Sequence, residues 1–256
     1  MENALLIGLS RQIALGRELE IVANNIANID TNGYKADGAV FEEYLMPGAR
    51  AGRFQTPDQR LSYVQDRAAW HNFNPGPVKQ TGNALDVSID GDAFFVVQTP
   101  RGERYTRNGS FQINAQGELV TTAGDRVLGS GGPILFQPTD SSISISNDGT
   151  ISVRESGNTK SDSQRGKLRL VSFDRMQQLQ KDGSSLFSAP NGVAPQDAPI
   201  TVRVAQGTLE QSNVRAVVEM ARMIEVTRTY TQIAGVIQSQ SDMRRSAIDK
   251  LADIPT

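Results

Sequence analysis

Helical patterns stand at both ends of this chain, and a period-two pattern lies between them. Near the start, Leu5, Leu9, Leu19, Val22, Ile26 and Ile29 fall near one face of a helix predicted from Met1 to Asp30, with Leu6 and Ile13 on a second, weaker line and Asn32-Gly33 as its stop. Near the end, a stretch from about Thr208 to Leu251 carries two apolar lines. One runs Val217, Met220, Ile224, Thr227, Thr231, Ala234, and the other Met223, Val226, Tyr230, Ile233, Ile237. Chain ends are usually the least organised part of a domain, so two patterned terminal helices predict partners. Two faces on one helix imply partners on two sides: the other terminal helix and neighbouring subunits. The helix starts either at Thr208, which with Gln211 fits a capping box, or at Asn213, a good N-cap.

Between Lys35 and Gln80 the periodicity dissolves. Pro47, Pro57, Pro75 and Pro77 interrupt it, and the aromatic residues are scattered, which predicts extended chain with short strands at best. From Leu85 the period becomes two: Leu85, Val87 and Ile89 alternate with Asp86 and Ser88, and Ala93 to Val97 forms an apolar run. Turn signals follow at Gly102, Asn108-Gly109, Gly117, Gly124 and Asn147-Asp148-Gly149. Short strands at such spacing predict an antiparallel sandwich or barrel, with the polar stretch Glu155 to Arg165 as an exposed loop. The fold class is therefore α+β, with the long terminal helices packed on each other as a coiled coil and a central antiparallel β-rich domain between them in sequence. The expected divisions are an N-terminal assembly helix at 1–34, an extended connection at 35–80, the β-rich domain at 81–206 and a C-terminal assembly helix at 207–256.

Composition removes several function classes. There is no cysteine and one histidine, His71, so Cys/His zinc sites, disulfides and thiol catalysis are excluded. The net charge is -2 and basic residues do not cluster beyond pairs, which argues against nucleic acid as a partner. No segment is apolar enough to insert in a membrane. The run Ala4 to Leu9 is too short for a secretory signal, so any passage out of the cytoplasm is expected to proceed without a cleaved peptide.

Some residues invite sharper readings. Asn24, Asn25 and Asn28 are poor helix residues; three amides amid Ile and Ala either fray a helix end or hydrogen-bond across helices to fix register, and the second is favoured. Asp86, Asp90 and Asp92 suggest a calcium site or a glycosidase pair, but Asp90-Gly91-Asp92 reads more simply as a hairpin turn. Solitary His71, beside Trp70, reads as a surface or packing residue, and Met220 and Met223 as core or interface filler. No residue pattern calls for a catalytic group, a cofactor or a bound metal.

Three blocks resemble the bacterial flagellar rod and hook proteins. They are Ala23–Asn28 with Thr31-Asn32-Gly33-Tyr34-Lys35; Thr81–Val87 through Gly91–Val97 and Arg104–Phe111; and Gly207–Val214 with Glu219-Met220 and Met223-Ile224. Within that family the short central region and the opening Met1–Arg11 look most like a proximal rod subunit, with a distal rod subunit next. The chain departs from the family pattern at Ala84, at Ala93 and at Thr231-Gln232-Ile233. The resemblance implies a structural subunit of the basal-body rod, exported through the flagellar type III apparatus and assembled in the periplasm with itself and other rod proteins. It implies subunit packing through Leu19, Val22, Asn24, Asn25, Ile26, Asn28 and Ile29 of the first helix. In the second helix it implies the same for Val217, Met220, Met223, Ile224, Tyr230, Ile233 and Ile237. The contrasting reading is a cell-wall enzyme or binding module carried on assembly helices.

Overall fold

A computed structural model describes residues 2–46, 61–155, 162–183 and 185–252. The chain is α+β, with one long helix at each end and an antiparallel β-rich centre, and it divides into two compact units.

The first unit gathers residues 1–27, 37–71 and 215–256. It holds helix α1 (Glu2–Ala27), strands β1 (Asp37–Met46) and β2 (Leu61–His71), and helix α2 (Ala216–Ala252). Along α1, Ala14 and Val22 are buried, while Leu6, Leu9 and Ile13 are exposed. The two helices meet: Arg222 Nε donates to Glu18 Oε1 at 2.8 Å, and Gly8 lies under Ile237, where a Cβ would come within 3.2 Å of Cγ1. Strands β1 and β2 form a hairpin ladder from Asp37↔His71 to Met46↔Leu61, with a bulge at Val40/Phe41. This corrects the expectation of short strands at best between Lys35 and Gln80. Pro75 and Pro77 fall after β2 and do not interrupt it, while Pro47 and Pro57 lie outside the described residues. What remains is rich in aromatic and β-branched residues, the composition that suits a pleated ladder.

The second unit gathers residues 28–36 and 72–214. Its first strands are β3 (Val78–Gln80), β4 (Val87–Asp90), β5 (Phe94–Thr99), β6 (Gly102–Thr106), β7 (Phe111–Ile113), β8 (Leu119–Thr121) and β9 (Arg126–Gly129). The main sheet runs Gln180–Lys181, Leu186–Ser188, β6, β5, β9, β8, β7. Strand β5 is covered on both faces, and that explains the unbroken apolar run Ala93–Val97, whose residues are all fully buried. Phe95 and Val97 join one core with Phe111, Leu119 and Ile151, whereas Phe94 and Val96 join another with Phe73, Phe173 and Phe187. In the second core the rings of Phe94, Phe173 and Phe187 meet edge-on at centroid distances of 5.8 Å.

Three local expectations need correction. Asp90-Gly91-Asp92 is a tight bend with Gly91 at φ 113°, but it joins strands of different sheets and closes no hairpin, since β4 pairs with Arg203–Gln206. Gly109 is required for closeness and not for a left-handed turn: a Cβ there would sit 1.7 Å from the Val87 carbonyl oxygen. The polar stretch expected as a loop holds a strand at Asp162–Lys167, paired with Thr150–Glu155; residues 156–161 lie outside the described residues.

Thr208 is neither N-cap nor capping box: Thr208–Glu210 is a strand on β3, and α2 begins at Ala216. Helix α1 ends at Ala27, and turns carry the chain to Gly33, whose φ of 67° falls well past the last helical residue.

Candidate assembly site

Short segments that adjoin the two helices in sequence are knotted into the β-body by a buried ion cluster. Lys35 Nζ donates to Glu210 Oε1 at 2.6 Å and to the Asn74 carbonyl at 2.8 Å, and both side chains of the pair are almost fully buried. Arg107 Nη1 lies 3.5 Å from Glu210 Oε2, and its Nη2 donates to the Gly91 carbonyl at 2.7 Å. Its guanidinium rests over the Phe94 ring at 5.4 Å. Two cations thus share one carboxylate in the interior. Burial pushes the Lys35 amine and the Arg107 guanidinium below their usual pKa values, against the opposing pull of Glu210. Arg107 Nε and Glu210 Oε2 make no hydrogen bond, so the cluster holds unspent polar atoms.

Further polar grips surround the cluster. The Gly33 N–H donates to the Glu210 carbonyl at 2.7 Å, and the Gly76 N–H to Glu210 Oε1 at 3.0 Å. Asn213 accepts from the Ala36 N–H at 2.8 Å and donates to the carbonyls of Asn72 and Asn74. It was a candidate helix cap, yet its amide instead stitches two backbone segments, at residue 36 and at residues 72–74. Lys181 Nζ lies over the Tyr34 ring at 3.8 Å and donates to the Lys35 carbonyl at 2.6 Å.

In the first unit a separate node forms around Asn25. Its Nδ2 donates to the Asp37 carbonyl at 2.9 Å, and its Oδ1 accepts from the Asp37 N–H at 2.9 Å. The same amide reaches Glu219 Oε2 at 3.4 Å. His71 Nδ1 meets the Asp37 carboxylate at 2.6 Å, so His71 closes the base of the hairpin.

The named assembly residues are thereby placed. Val22 and Asn25 are buried; Leu19, Ile26, Asn28 and Ile29 are half-buried; Asn24 is exposed. Asn28 and Ile29 lie beyond α1, and Asn28 Oδ1 accepts from Thr31 Oγ1 at 3.1 Å. In α2 the two apolar lines have different fates. Met223, Tyr230, Ile233 and Ile237 are half-buried along a line that includes buried Val226, whereas Val217, Met220 and Ile224 are 79%, 47% and 71% exposed. Asp86 is buried with its carboxylate held by the Asn83 amide, and Asp90 and Asp92 are exposed; no metal-holding carboxylate cluster occurs among the described residues.

Lys35, Arg107 and Glu210 escaped the reading of individual residues, although each stands inside one of the three quoted blocks. The usable signal was a charged residue in the middle of an otherwise turn-like or apolar signature.

Three family descriptions match the chain. "Flagella basal body rod protein" matches residues 5–35, "Flagellar hook protein FlgE/F/G D1 domain" matches 88–153, and "Flagellar basal body rod FlgEFG protein C-terminal" matches 205–250. Each matched segment supplies one member of the ion cluster. The chain is 38% identical to the flagellar basal-body rod protein FlgF of Caulobacter vibrioides over 99% of this chain and 100% of that one. It is 32% identical to FlgF of Mesorhizobium japonicum over 98% of each, and 36% identical to FlgG of Agrobacterium fabrum over 94% of this chain and 96% of that one. With both ends and the middle matched, and relatives aligned along nearly their whole length, the chain belongs to the flagellar basal-body rod protein family, whose members are structural components of the flagellum and not enzymes.

Proposed function

We propose that this rod subunit polymerises through the outward apolar line of α2, with α1 and α2 packing as a coiled-coil pair inside each copy. The observation that carries the reading is the split between the two lines. Met223, Val226, Tyr230, Ile233 and Ile237 step by three and four residues along the covered side, the spacing of a coiled-coil seam. Val217, Met220 and Ile224 repeat the same spacing and stay exposed in the isolated chain, Met220 about half and the other two for the most part. Neighbouring copies and other rod components are the partners that fit, and Leu6, Leu9 and Ile13 of α1 extend the same kind of surface. The FlgF names of the 38% and 32% identical relatives favour a proximal position over a distal one. On this reading the subunit leaves the cytoplasm through the flagellar type III apparatus and assembles across the periplasm. No described helix is long and apolar enough to cross a membrane.

Carboxylates placed on the two lines test the split. Ile224→Asp exposes its charge to water in the monomer but buries it in an assembled interface, an unfavourable change of several kcal/mol, on the order of 3–5. The purified variant should melt within about 2 °C of the parent, while basal bodies from complemented cells should lack it. Ile233→Asp, on the covered line, should lower the melting temperature itself. Normal incorporation of Ile224→Asp, or a monomer it destabilises as much as Ile233→Asp does, would overturn the reading.

A further inference from the structure

We propose that the ion cluster is a sequential latch: residues 207–213 are anchored on the β-body by their own pairing with β3, and residues 28–36 dock only once Glu210 is in place to receive Lys35. Among the described residues Glu210 is the one carboxylate within ion-pair distance of the two buried cations, and it comes from the C-terminal strand. Without it, docking residues 33–36 would bury Lys35 beside Arg107 with only the more distant, exposed Asp92 to oppose their charge. Without Lys35, the Glu210 side chain keeps a 3.5 Å contact to Arg107 and the Gly76 N–H, while its backbone stays paired with β3.

The backbone repeats the dependence. Gly33 N–H needs the Glu210 carbonyl, and Ala36 N–H needs the Asn213 side chain. Asn213 in turn needs the Asn72 and Asn74 carbonyls, and Asn74 is also an acceptor for Lys35. Apart from Lys181 and a local bond from the Tyr34 N–H to the Thr31 carbonyl at 3.3 Å, every grip on residues 33–36 named here ends on residues 72–76 or 207–213. The central strands have no such dependence, since β5 and β6 pair with each other and with strands of the body.

The consequence is an order of events. A chain that emerges amino end first cannot seat residues 28–36 until residue 210 has arrived. For a rod subunit, resting on the function proposed above, the segment that follows α1 would stay unseated until the whole chain is delivered.

Hydrogen exchange on the isolated full-length chain tests the latch without involving assembly, so its failure would leave the polymerisation reading standing. In Glu210→Gln two buried cations lose the carboxylate they contact. The amides of Gly33 and Ala36 should then exchange faster by about a hundredfold or more, the population change that follows loss of a buried charge partner. Amides of β5 should keep their protection. Adding Lys35→Met to Glu210→Gln removes one of the facing cations and should restore part of the protection. Asn213→Ala provides a milder check that leaves all charges in place. It should speed exchange at Gly33, whose own acceptor, the Glu210 carbonyl, is untouched. The latch is overturned if Gly33 and Ala36 keep parental rates in Glu210→Gln, if Lys35→Met fails to restore any protection, or if Asn213→Ala affects Ala36 alone.

Discussion

Asn25 shows how a residue that is poor for helices earns its place in one. Its amide matches the Asp37 backbone on both sides, donor to acceptor and acceptor to donor, and so it does for the hairpin what a ladder partner would do. The expectation is of amides bonding across helices; Asn25 does reach Glu219 of α2 at 3.4 Å, but its two shorter bonds go to the Asp37 backbone at the start of β1. The partner could not be read from sequence because Asp37 lies after a run of turns with no periodicity to place it. Asn25→Asp is isosteric and keeps one acceptor, but it loses the donation to the Asp37 carbonyl and sets a second carboxylate near Glu219. The full chain should lose about 1–3 kcal/mol at neutral pH, the cost of an unsatisfied buried polar group. Guanidinium unfolding curves measure this, and curves that superimpose on the parent's would show that the pairing carries no weight. Lys35, Arg107 and Glu210 teach the complementary lesson. Long charged side chains are mostly solvated, so sequence alone assigns them to the surface until the fold shows that three distant ones converge.

At the scale of elements, what could be read depended on period. The lines of α2 and the strands of the β-body follow from spacing, and each turn glycine at 102, 117, 124 and 149 has the positive φ its position requires. The hairpin β1–β2 was lost because prolines outside its strands dominated the reading of its sequence. The strand Asp162–Lys167 was lost because its polar composition mimics a loop, and ion pairing supplies what apolar burial does not. Arg165 donates from Nε to Asp140 Oδ2 at 2.8 Å and from Nη2 to Glu155 Oε1 at 3.1 Å, tying together all three strands of that small sheet. The hydrogen bond from Arg165, seconded by the Gln137 N–H, holds the Asp140 carboxyl below the usual range. A carboxyl with a depressed folded pKa stabilises above its unfolded value and loses that contribution as pH falls through the folded one. Asp140→Asn should therefore melt below the parent at neutral pH, and the gap should shrink once pH drops under about 3.9, the ordinary Asp value. Thermal melts at several pH values follow the gap; one that stays constant into strong acid would rule out the ion pair as its source.

For the whole molecule, the order of segments along the chain is not the order in which they are grouped. Residues 28–36 belong with 72–214, while 1–27, 37–71 and 215–256 form the other unit, so the chain passes between units four times. The division read from sequence followed the chain in order because composition changes along the chain are all that a sequence offers. The two groups also differ in what holds them. The β-body has two apolar cores around β5, whereas the helical unit leaves Ile13, Val217, Ile224 and Ile248 each more than 60% exposed in the isolated chain. Helices draw most of their stability from packing, so the helical unit should open first. Mild proteolysis of the monomer should then cut in the helices and in the hairpin and spare the body. The surviving body should not be one contiguous fragment. It should be two peptides, one carrying residues 28–36 and the other 72–214, eluting together under native conditions and separating in denaturant. Mass measurement before and after denaturation identifies both. A resistant body that lacks residues 28–36 would show that this segment is held no more firmly than the helices, and cleavage spread evenly along the chain would show that the two units are not distinct in stability.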